Sequence, residues 1–248
     1  MKDLFSSGSE LYRQARPQYS QAVLDEVLRH VSQREFAWDC GAGSGQFTQM
    51  LAPFFKHVMA TDLSAAQLAQ APQFSNVTYQ AQPAEHSTLE SASVDLVTVA
   101  QAIHWFSFDA FYAEVRRVLK PDGVIVVLGY GLIQLQNTEL NQRVHHLYSD
   151  ILGKYWDAER RYIDENYQTI PFPFKELQTP EISLEYQWSG QQLLDYLNTW
   201  SALKHYQKAQ EQNPQMVDAL AEIQHFLHNR TELWHLTFPV LLRTGMPD

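Results

Sequence analysis

The chain has 248 residues, of which 45% are hydrophobic and 19% are charged, a composition typical of a globular protein rather than a disordered one. Its formal net charge of −10 argues against nucleic acid or an anionic membrane as the main partner, because both need a basic surface. There is no apolar run of about 18 residues, and the first ten residues lack the apolar segment of a signal peptide. The single cysteine, Cys40, excludes an internal disulfide, so we expect a cytoplasmic protein.

Strands and helices alternate in the first half of the sequence. Some segments repeat apolar residues at helical spacing, and others are short continuous apolar runs, which predict strands buried on both faces. Such an alternation predicts an α/β, doubly wound sheet with right-handed crossovers. In chain order the predicted elements are a helix over 21–31, a strand over 35–39, a helix over 46–55, a strand over 57–62, a helix over 64–71, strands over 76–80 and 94–100, a helix over 108–119 and, after a turn at 121–123, a strand over 124–129.

The second half of the sequence has a different pattern. Residues 132–167 have a helical pattern that is rich in aromatic side chains. No Gly/Ser-rich linker separates the two halves, so we expect one domain over 1–248, with one sheet of seven strands and a helical insertion after the fifth. The remaining predicted elements are a strand over 181–188, helices over 190–206 and 214–228, and a final strand over 234–244.

The stretch "AWDCGAGSGQF" contains the clearest functional signal. Gly41, Gly43 and Gly45 alternate directly after the first strand and before a helix, where the backbone must turn sharply or approach a ligand closely. Such a turn lies at the carboxyl end of the sheet, where open α/β sheets bind ligands. Asp62 ends the second strand, where a carboxylate can accept hydrogen bonds from ribose hydroxyls. Together these features predict a site for a nucleoside cofactor.

Four motifs in order narrow the choice of cofactor: "DCGAGSGQF", "ATDLS", "QPAEHSTLESASVDLVTVAQAIHWF" and "VRRVLKPDGVIVV". Their combination resembles the class I S-adenosylmethionine-dependent methyltransferases over residues 12–129. Two further stretches, "YRQARPQYS" and "AQAIHWF", resemble the small-molecule subgroup that includes trans-aconitate methyltransferase. The resemblance implies a Rossmann-like, seven-stranded, mostly parallel sheet with an antiparallel last strand.

The resemblance also implies that four segments of the chain have different roles. Residues 1–20 would form an N-terminal lid segment, and residues 21–131 the cofactor-binding core. The helical insertion would span 132–175, and the strands and helices of 176–248 would cover the substrate pocket. The cofactor would be S-adenosylmethionine, the product S-adenosylhomocysteine, and the partner a small-molecule methyl acceptor.

Cofactor contacts follow from the same resemblance. The three glycines would pack against the methionine portion of the cofactor. Asp39 would either order the loop or contact the amino group of that portion. After the third strand the family often has Asp-Ala-Glu, whereas this chain has Pro83 in place of the aspartate, which leaves Ala84 and Glu85 as candidates beside adenine. The other implied cofactor residues are Asp62 at the ribose, Leu63 beside adenine and Gln101 near the methionine moiety. Tyr12, Tyr19 and Trp105 could close over the cofactor, because the face of an aromatic ring attracts a sulfonium cation.

The chemistry depends on the acceptor. A carboxylate oxygen, one candidate, needs no base, whereas a hydroxyl or amine does. His104 lies three residues after Gln101 and could act as a base, position the acceptor, or cap the following helix. Arg13 and Arg16 could bind an acidic substrate or anchor the lid. Four aromatic or imidazole side chains are candidates for the substrate pocket or for core packing: Trp105, Trp156, Trp200 and His205. No metal is expected, because the pair His145–His146 lacks a supporting ligand motif.

Three other interpretations stay open. An NAD(P)-dependent oxidoreductase would also use a glycine loop, but it prefers G-x-G-x-x-G spacing. A nucleic-acid methyltransferase commonly carries an Asn/Asp-Pro-Pro-Tyr/Phe element after the fourth strand, where this chain has "AQAIHW". A cofactor-binding module that has lost its chemistry would keep the loop and Asp62. The sequence does not indicate an oligomeric state.

Overall fold

The parallel half of the sheet occupies the first part of the chain. In the computed structural model, which describes residues 15–247, five strands run parallel in the order β3-β2-β1-β4-β5. All pairs of neighbours in this half are parallel, as the alternation of strands and helices predicts. The strands are β1 (Phe36–Cys40), β2 (His57–Asp62), β3 (Val77–Ala81), β4 (Val94–Ala100) and β5 (Leu119–Tyr130).

Helices cover both faces of this sheet. β4 is buried at every position except its last residue, because helices pack on both of its sides. One core lies under α1 and the C-terminal helices, and a second lies under α4. The helices are α1 (Gln21–Leu28), α2 (Thr48–Leu51), α3 (Ala65–Leu68), α4 (Phe108–Val118), α5 (Thr138–His146), α6 (Arg161–Asp164), α7 (Gly190–Leu197), α8 (Ser201–Gln212) and α9 (Ala221–Leu227).

The antiparallel half is built around one long strand, β9 (Trp234–Met246), which pairs antiparallel with β5. Within residues 15–247 the sheet has nine strands, where the sequence predicted seven. The difference arises because β9 is 13 residues long and also pairs with three short strands: β6 (Gln134–Leu135), β7 (Lys175–Leu177) and β8 (Ser183–Trp188). The fold class, a Rossmann-like α/β sheet with an antiparallel last strand, is confirmed.

Two predicted boundaries are wrong for local reasons. The turn predicted at 121–123 is absent: β5 begins at Leu119, which pairs with Val94 across a register shift. The helix predicted over 190–206 is divided into α7 and α8, because Trp200 adopts an extended conformation with a ψ of 129°. No helix among residues 15–247 is long and apolar enough to cross a bilayer.

Candidate active site

The candidate site is a cavity of about 190 Å³ at the carboxyl ends of β1, β2 and β4. Parallel strands bring their carboxyl ends to one edge of a sheet, and ligands of open α/β folds bind there. The cavity is lined by the ends of these strands, by the loops that follow them and by part of the segment before α1. The lining includes these predicted cofactor residues: Tyr19, Asp39, Gly41, Gly43, Asp62, Leu63, Ala84, Glu85 and Gln101.

The glycine loop after β1 has a left-handed backbone at all three glycines. The φ angles of Gly41, Gly43 and Gly45 are +74°, +56° and +76°, a region that L side chains rarely adopt. A Cβ on Gly41 would lie 2.6 Å from the Cβ of Ala102. Gly41 and Gly43 line the cavity, whereas Gly45 lies outside its lining, and a Cβ there would lie 2.9 Å from Ala71. The backbone conformation of the turn therefore requires all three glycines, and two of them also line the cavity.

Asp62, the last residue of β2, braces this loop. Its Oδ2 accepts a hydrogen bond from the Gly43 N–H at 2.9 Å, and its Oδ1 accepts one from the Ser64 N–H at 2.8 Å. An ionised carboxylate has about four acceptor positions, so two remain after these bonds. Because Asp62 also lines the cavity, it can accept hydrogen bonds from hydroxyl groups of a ligand.

Asp39, one residue from the end of β1, is fully buried beneath the cavity. The hydroxyl of Thr48 donates to its Oδ2, and that of Thr98 donates to its Oδ1 at 2.9 Å. Burial raises the pKa of Asp39 to about 6, although the two threonine hydrogen bonds act in the opposite direction. A positively charged group bound in the cavity would favour the ionised form of this carboxylate.

The loops after β2 and β3 provide one end of the cavity, with Leu63 following β2 and residues 82–85 following β3. Leu63 is 48% exposed although it lines the cavity, so an apolar surface is available to a planar ligand. Ala84 and Glu85 also line it, and Glu85 Oε1 accepts a hydrogen bond from the Ser107 N–H at 3.0 Å. Sequence reasoning missed Gln82, which lines the cavity and whose buried Nε2 has no hydrogen-bond partner among the described residues. Its position just before Pro83-Ala84-Glu85 is the signal that could have identified it.

Gln101 follows β4 and has a strained backbone. Its φ is +56°, which is uncommon for a residue with a side chain and which often marks a functional site. The side-chain amide is fixed on β5, because Oε1 accepts from the Tyr130 N–H at 3.0 Å and Nε2 donates to the Tyr130 carbonyl at 3.3 Å. Gly129 makes this contact possible, since a Cβ there would lie 2.4 Å from Gln101 Oε1.

The segment before α1 closes one side of the cavity. Tyr19 is buried, its ring packs edge-on against Phe47 at 5.4 Å, and its hydroxyl has no hydrogen-bond partner among residues 15–247. Arg16 donates from Nη1 to the Tyr130 hydroxyl and from Nη2 to the Thr199 carbonyl, both at 3.2 Å. These bonds anchor the segment, and Arg16 also lines the cavity. The other two residues predicted in this region, Tyr12 and Arg13, lie outside the described residues.

A second cavity of about 70 Å³ adjoins the first. The two cavities share Arg16, Gln101 and Trp105 in their linings. The shared residues mark a junction at which a ligand in one cavity can meet a ligand in the other. The rest of the second lining consists of His104, Trp156, Asp157, Arg160, Ile163 and Ser201, of which the sequence had predicted His104 and Trp156.

His104 is 7% exposed and follows the junction residue Gln101 in a short helical turn. Burial, together with the positive charge of Arg160, lowers the pKa of His104 to about 3, so its imidazole is neutral near neutral pH. Its Nδ1 is buried and has no hydrogen-bond partner among the described residues, and no side-chain bond to the following helix is seen there. Capping of that helix, one of the roles considered, is therefore not observed.

The other substrate candidates lie apart from the cavities. Trp200 is buried and packs against Trp156 with ring centroids 5.4 Å apart, so it supports the wall without lining it. The Nδ1 of His205 lies 2.9 Å from the Tyr155 carbonyl, also outside both linings. Residues 15–247 contain no group of three His, Cys, Asp or Glu side chains arranged to hold a metal ion.

The chain is similar to known methyltransferases. The family model described as "Methyltransferase domain" matches residues 38–127. A Dictyostelium discoideum protein named as a methyltransferase is 36% identical over 245 residues, which cover 97% of this chain and 93% of the relative. A Saccharomyces cerevisiae protein named as an S-adenosylmethionine-dependent methyltransferase is 29% identical over 168 residues, covering 63% of this chain and 58% of that protein.

A solved structure gives the same result. The structure of an Anaeromyxobacter dehalogenans protein described as a type II methyltransferase superposes with a TM-score of 0.83 at 37% identity, covering 94% of this chain and 99% of the other. The chain therefore belongs to the class I S-adenosylmethionine-dependent methyltransferases. The narrower resemblance to the trans-aconitate subgroup stays a prediction.

Proposed function

We propose that this methyltransferase binds S-adenosylmethionine in the first cavity and transfers its methyl group to a small-molecule acceptor in the second. The observation that carries the proposal is the junction, where Arg16, Gln101 and Trp105 line both cavities. A methyl donor and a methyl acceptor must meet across such a boundary. The product in the first cavity would be S-adenosylhomocysteine.

The first cavity has features that suit this cofactor. The side-chain-free backbone at Gly41 and Gly43 leaves room for close approach, and the Asp62 carboxylate keeps acceptor positions for ribose hydroxyls. The Tyr19 hydroxyl and the Gln82 amide are buried polar groups without a partner among the described residues, and a polar ligand would satisfy them. When bound, the cofactor supplies a methyl group carried on a positively charged sulfur.

The residues of this chain contribute mainly alignment. Fixing two reactants in a near-attack geometry can lower a barrier by about 7–11 kcal/mol. Gln101 suits this task, because its amide is held by two hydrogen bonds to the backbone of Tyr130. The faces of Tyr19 and Trp105 suit a cationic sulfur through the quadrupole of an aromatic ring.

We further propose that the acceptor is a small acid, with a carboxylate oxygen as the candidate methyl acceptor. A carboxylate has no proton to lose, and the low pKa of His104 makes its imidazole a weak base. His104 would then position the acceptor by donating a hydrogen bond from its Nδ1–H, since Nδ1 has no partner among residues 15–247.

We also propose a division of the chain into four segments. Residues 1–20 would act as a lid, residues 21–131 as the cofactor core, and residues 132–175 and 176–248 as the cover of the acceptor cavity. We expect neither a nucleic-acid partner nor a membrane partner, given the net charge of −10. A reducing compartment such as the cytoplasm suits the single buried cysteine, Cys40.

Calorimetric titration tests the cofactor part of the proposal. The purified protein is titrated in parallel with S-adenosylmethionine, S-adenosylhomocysteine and NADH. Micromolar binding of the two sulfur nucleosides without binding of NADH is expected, and it would justify a screen of small acids for methyl transfer. Binding of NADH alone would refute the assignment of the first cavity.

A further inference from the structure

Two cationic side chains face the second cavity. Arg16 reaches its lining from the segment before α1, and Arg160 reaches it from the turn before α6. Both guanidinium charges act on the same tyrosine, Tyr196, whose pKa they lower against the larger raising effect of burial. Because both side chains line the same small cavity, two positive charges converge there, although the chain as a whole is acidic.

Arg160 is held in place by only part of its guanidinium group. Its Nε donates to the Tyr148 hydroxyl at 2.9 Å and lies 3.5 Å from Asp164 Oδ1, and its guanidinium stacks on the Trp156 ring at 4.9 Å from the centroid. Among residues 15–247, its Nη1 and Nη2 make no hydrogen bond. A planar fork with two free donor nitrogens matches the oxygens of a carboxylate or a phosphate.

Asp157 adds a second requirement to the same cavity. Its Oδ2 is buried and has no hydrogen-bond partner among the described residues. An anion alone would leave this oxygen unsatisfied and would be repelled by it. A hydroxyl or amino group beside the anion would donate to it and satisfy a buried acceptor.

The size of the cavity limits what can enter. The volume of about 70 Å³ is room for roughly five water molecules, because one water needs about 10–15 Å³. A group of four or five non-hydrogen atoms, such as a carboxylate with its neighbouring carbon and one substituent, fits this space.

We propose that the second cavity recognises an acceptor with an anionic group, bound by the Nη atoms of Arg160 with Arg16 beside them, and an adjacent hydrogen-bond donor, bound by Asp157. Arg160 is then the residue that selects charged acceptors over neutral ones. This inference rests on the proposed function, which makes the second cavity the acceptor site. It names a recognition pattern, the anion with its neighbouring donor, for that site.

Four small probes test the pattern. The protein saturated with S-adenosylhomocysteine is titrated with acetate, glycolate, acetamide and inorganic phosphate, and each Kd is measured by ligand-observed NMR. Acetate should bind about tenfold or more tightly than acetamide, which has the same shape without the charge. Glycolate, which adds a hydroxyl, should bind more tightly than acetate. The order of phosphate and acetate decides whether the preferred anion is a phosphate or a carboxylate.

Four variants test which residues produce the preference. Arg160→Gln should bring acetate and acetamide to equal affinity, whereas Arg161→Gln should leave the preference unchanged. Arg161→Gln is the matched control, because it removes the same charge from the neighbouring residue. The Arg161 guanidinium donates to the Tyr162 hydroxyl at the exposed surface. Asp157→Asn should reduce the advantage of glycolate over acetate. Arg160→Lys, which keeps the charge, should keep a preference for acetate and guards against a loss caused by misfolding.

Several results would overturn the inference. Equal binding of acetate and acetamide by the wild type would do so, as would a preference that survives in Arg160→Gln. Absence of probe binding to a protein that binds S-adenosylhomocysteine would refute the anion site and leave the cofactor site intact. Binding of acetate by a protein that does not bind S-adenosylhomocysteine would refute the proposed cofactor site instead.

Discussion

Replacing Asp62 with asparagine tests how the glycine loop is held. Asparagine has the same shape, but its amide offers one acceptor oxygen for two N–H groups, those of Gly43 and Ser64 at 2.9 and 2.8 Å. A hydrogen bond to a charged group contributes about 1.5–3 kcal/mol and a neutral one about 1 kcal/mol, so Asp62→Asn loses one charged bond and weakens the other. Because Asp62 is half-buried and water can replace part of the loss, we expect the free energy of unfolding to fall by about 2 kcal/mol.

The same change should weaken cofactor binding. The loop loses its brace and the ribose loses a charged acceptor, so the affinity for S-adenosylhomocysteine should fall about 10- to 100-fold. Urea denaturation measures the stability, and calorimetric titration measures the affinity. Asp195→Asn is the matched control, since Asp195 is exposed on α7 and bonds only to Gln191 among the described residues. Unchanged affinity in Asp62→Asn would refute the view that this carboxylate holds the cofactor.

Three further substitutions probe buried groups. The pKa of His104 is lowered from 6.5 to about 3, so the free energy of unfolding of the wild type should fall as the pH falls below about 6.5. His104→Gln should flatten this dependence, measured by urea denaturation between pH 7 and pH 4. An unchanged slope would contradict the reasoning. The pKa of Asp39 is raised from 3.8 to about 6, so the wild type should lose stability relative to Asp39→Asn as the pH rises from about 4 to 6. A difference in unfolding free energy that stays constant over this range would mean that the pKa of the Asp39 carboxyl is not raised. Gln82→Leu should lower the affinity for S-adenosylhomocysteine about twofold to tenfold, and an affinity equal to that of the wild type would show that its amide does not contact the ligand.

Four strands of the parallel core could be predicted from the sequence to within one residue, although the fifth, predicted over 124–129, begins at Leu119. The strands predicted over 57–62 and 94–100 are observed as His57–Asp62 and Val94–Ala100. The second of these strands, β4, is rich in apolar residues because it is buried on both faces of the sheet, whereas β2 is only partly buried. The glycines and Asp62 could be assigned to one edge of the sheet for a similar reason, because backbone geometry restricts what three alternating glycines can do.

The acceptor half could not be predicted in the same way. Trp156 and Trp200 both read as aromatic residues of helical segments, yet the first lines the second cavity and the second packs behind it. Helical spacing does not distinguish a side chain that faces a cavity from one that faces the core. Arg160 and Asp157 reach the cavity through a turn whose position depends on packing against Tyr148 and Trp156, which are contacts that local sequence does not encode.

The junction residues explain why some variants should change the affinity for one ligand alone, whereas others should change the affinity for both. Arg16 lines both cavities and also ties the segment before α1 to Tyr130 and Thr199, so its loss would disturb donor and acceptor together. Asp62 lines only the first cavity and Arg160 only the second. An Asp62 variant should therefore change the affinity for S-adenosylhomocysteine but not that for acetate, and an Arg160 variant should do the reverse. If an Asp62 or Arg160 variant changed both affinities, the two cavities would be coupled through the wall formed by Arg16, Gln101 and Trp105.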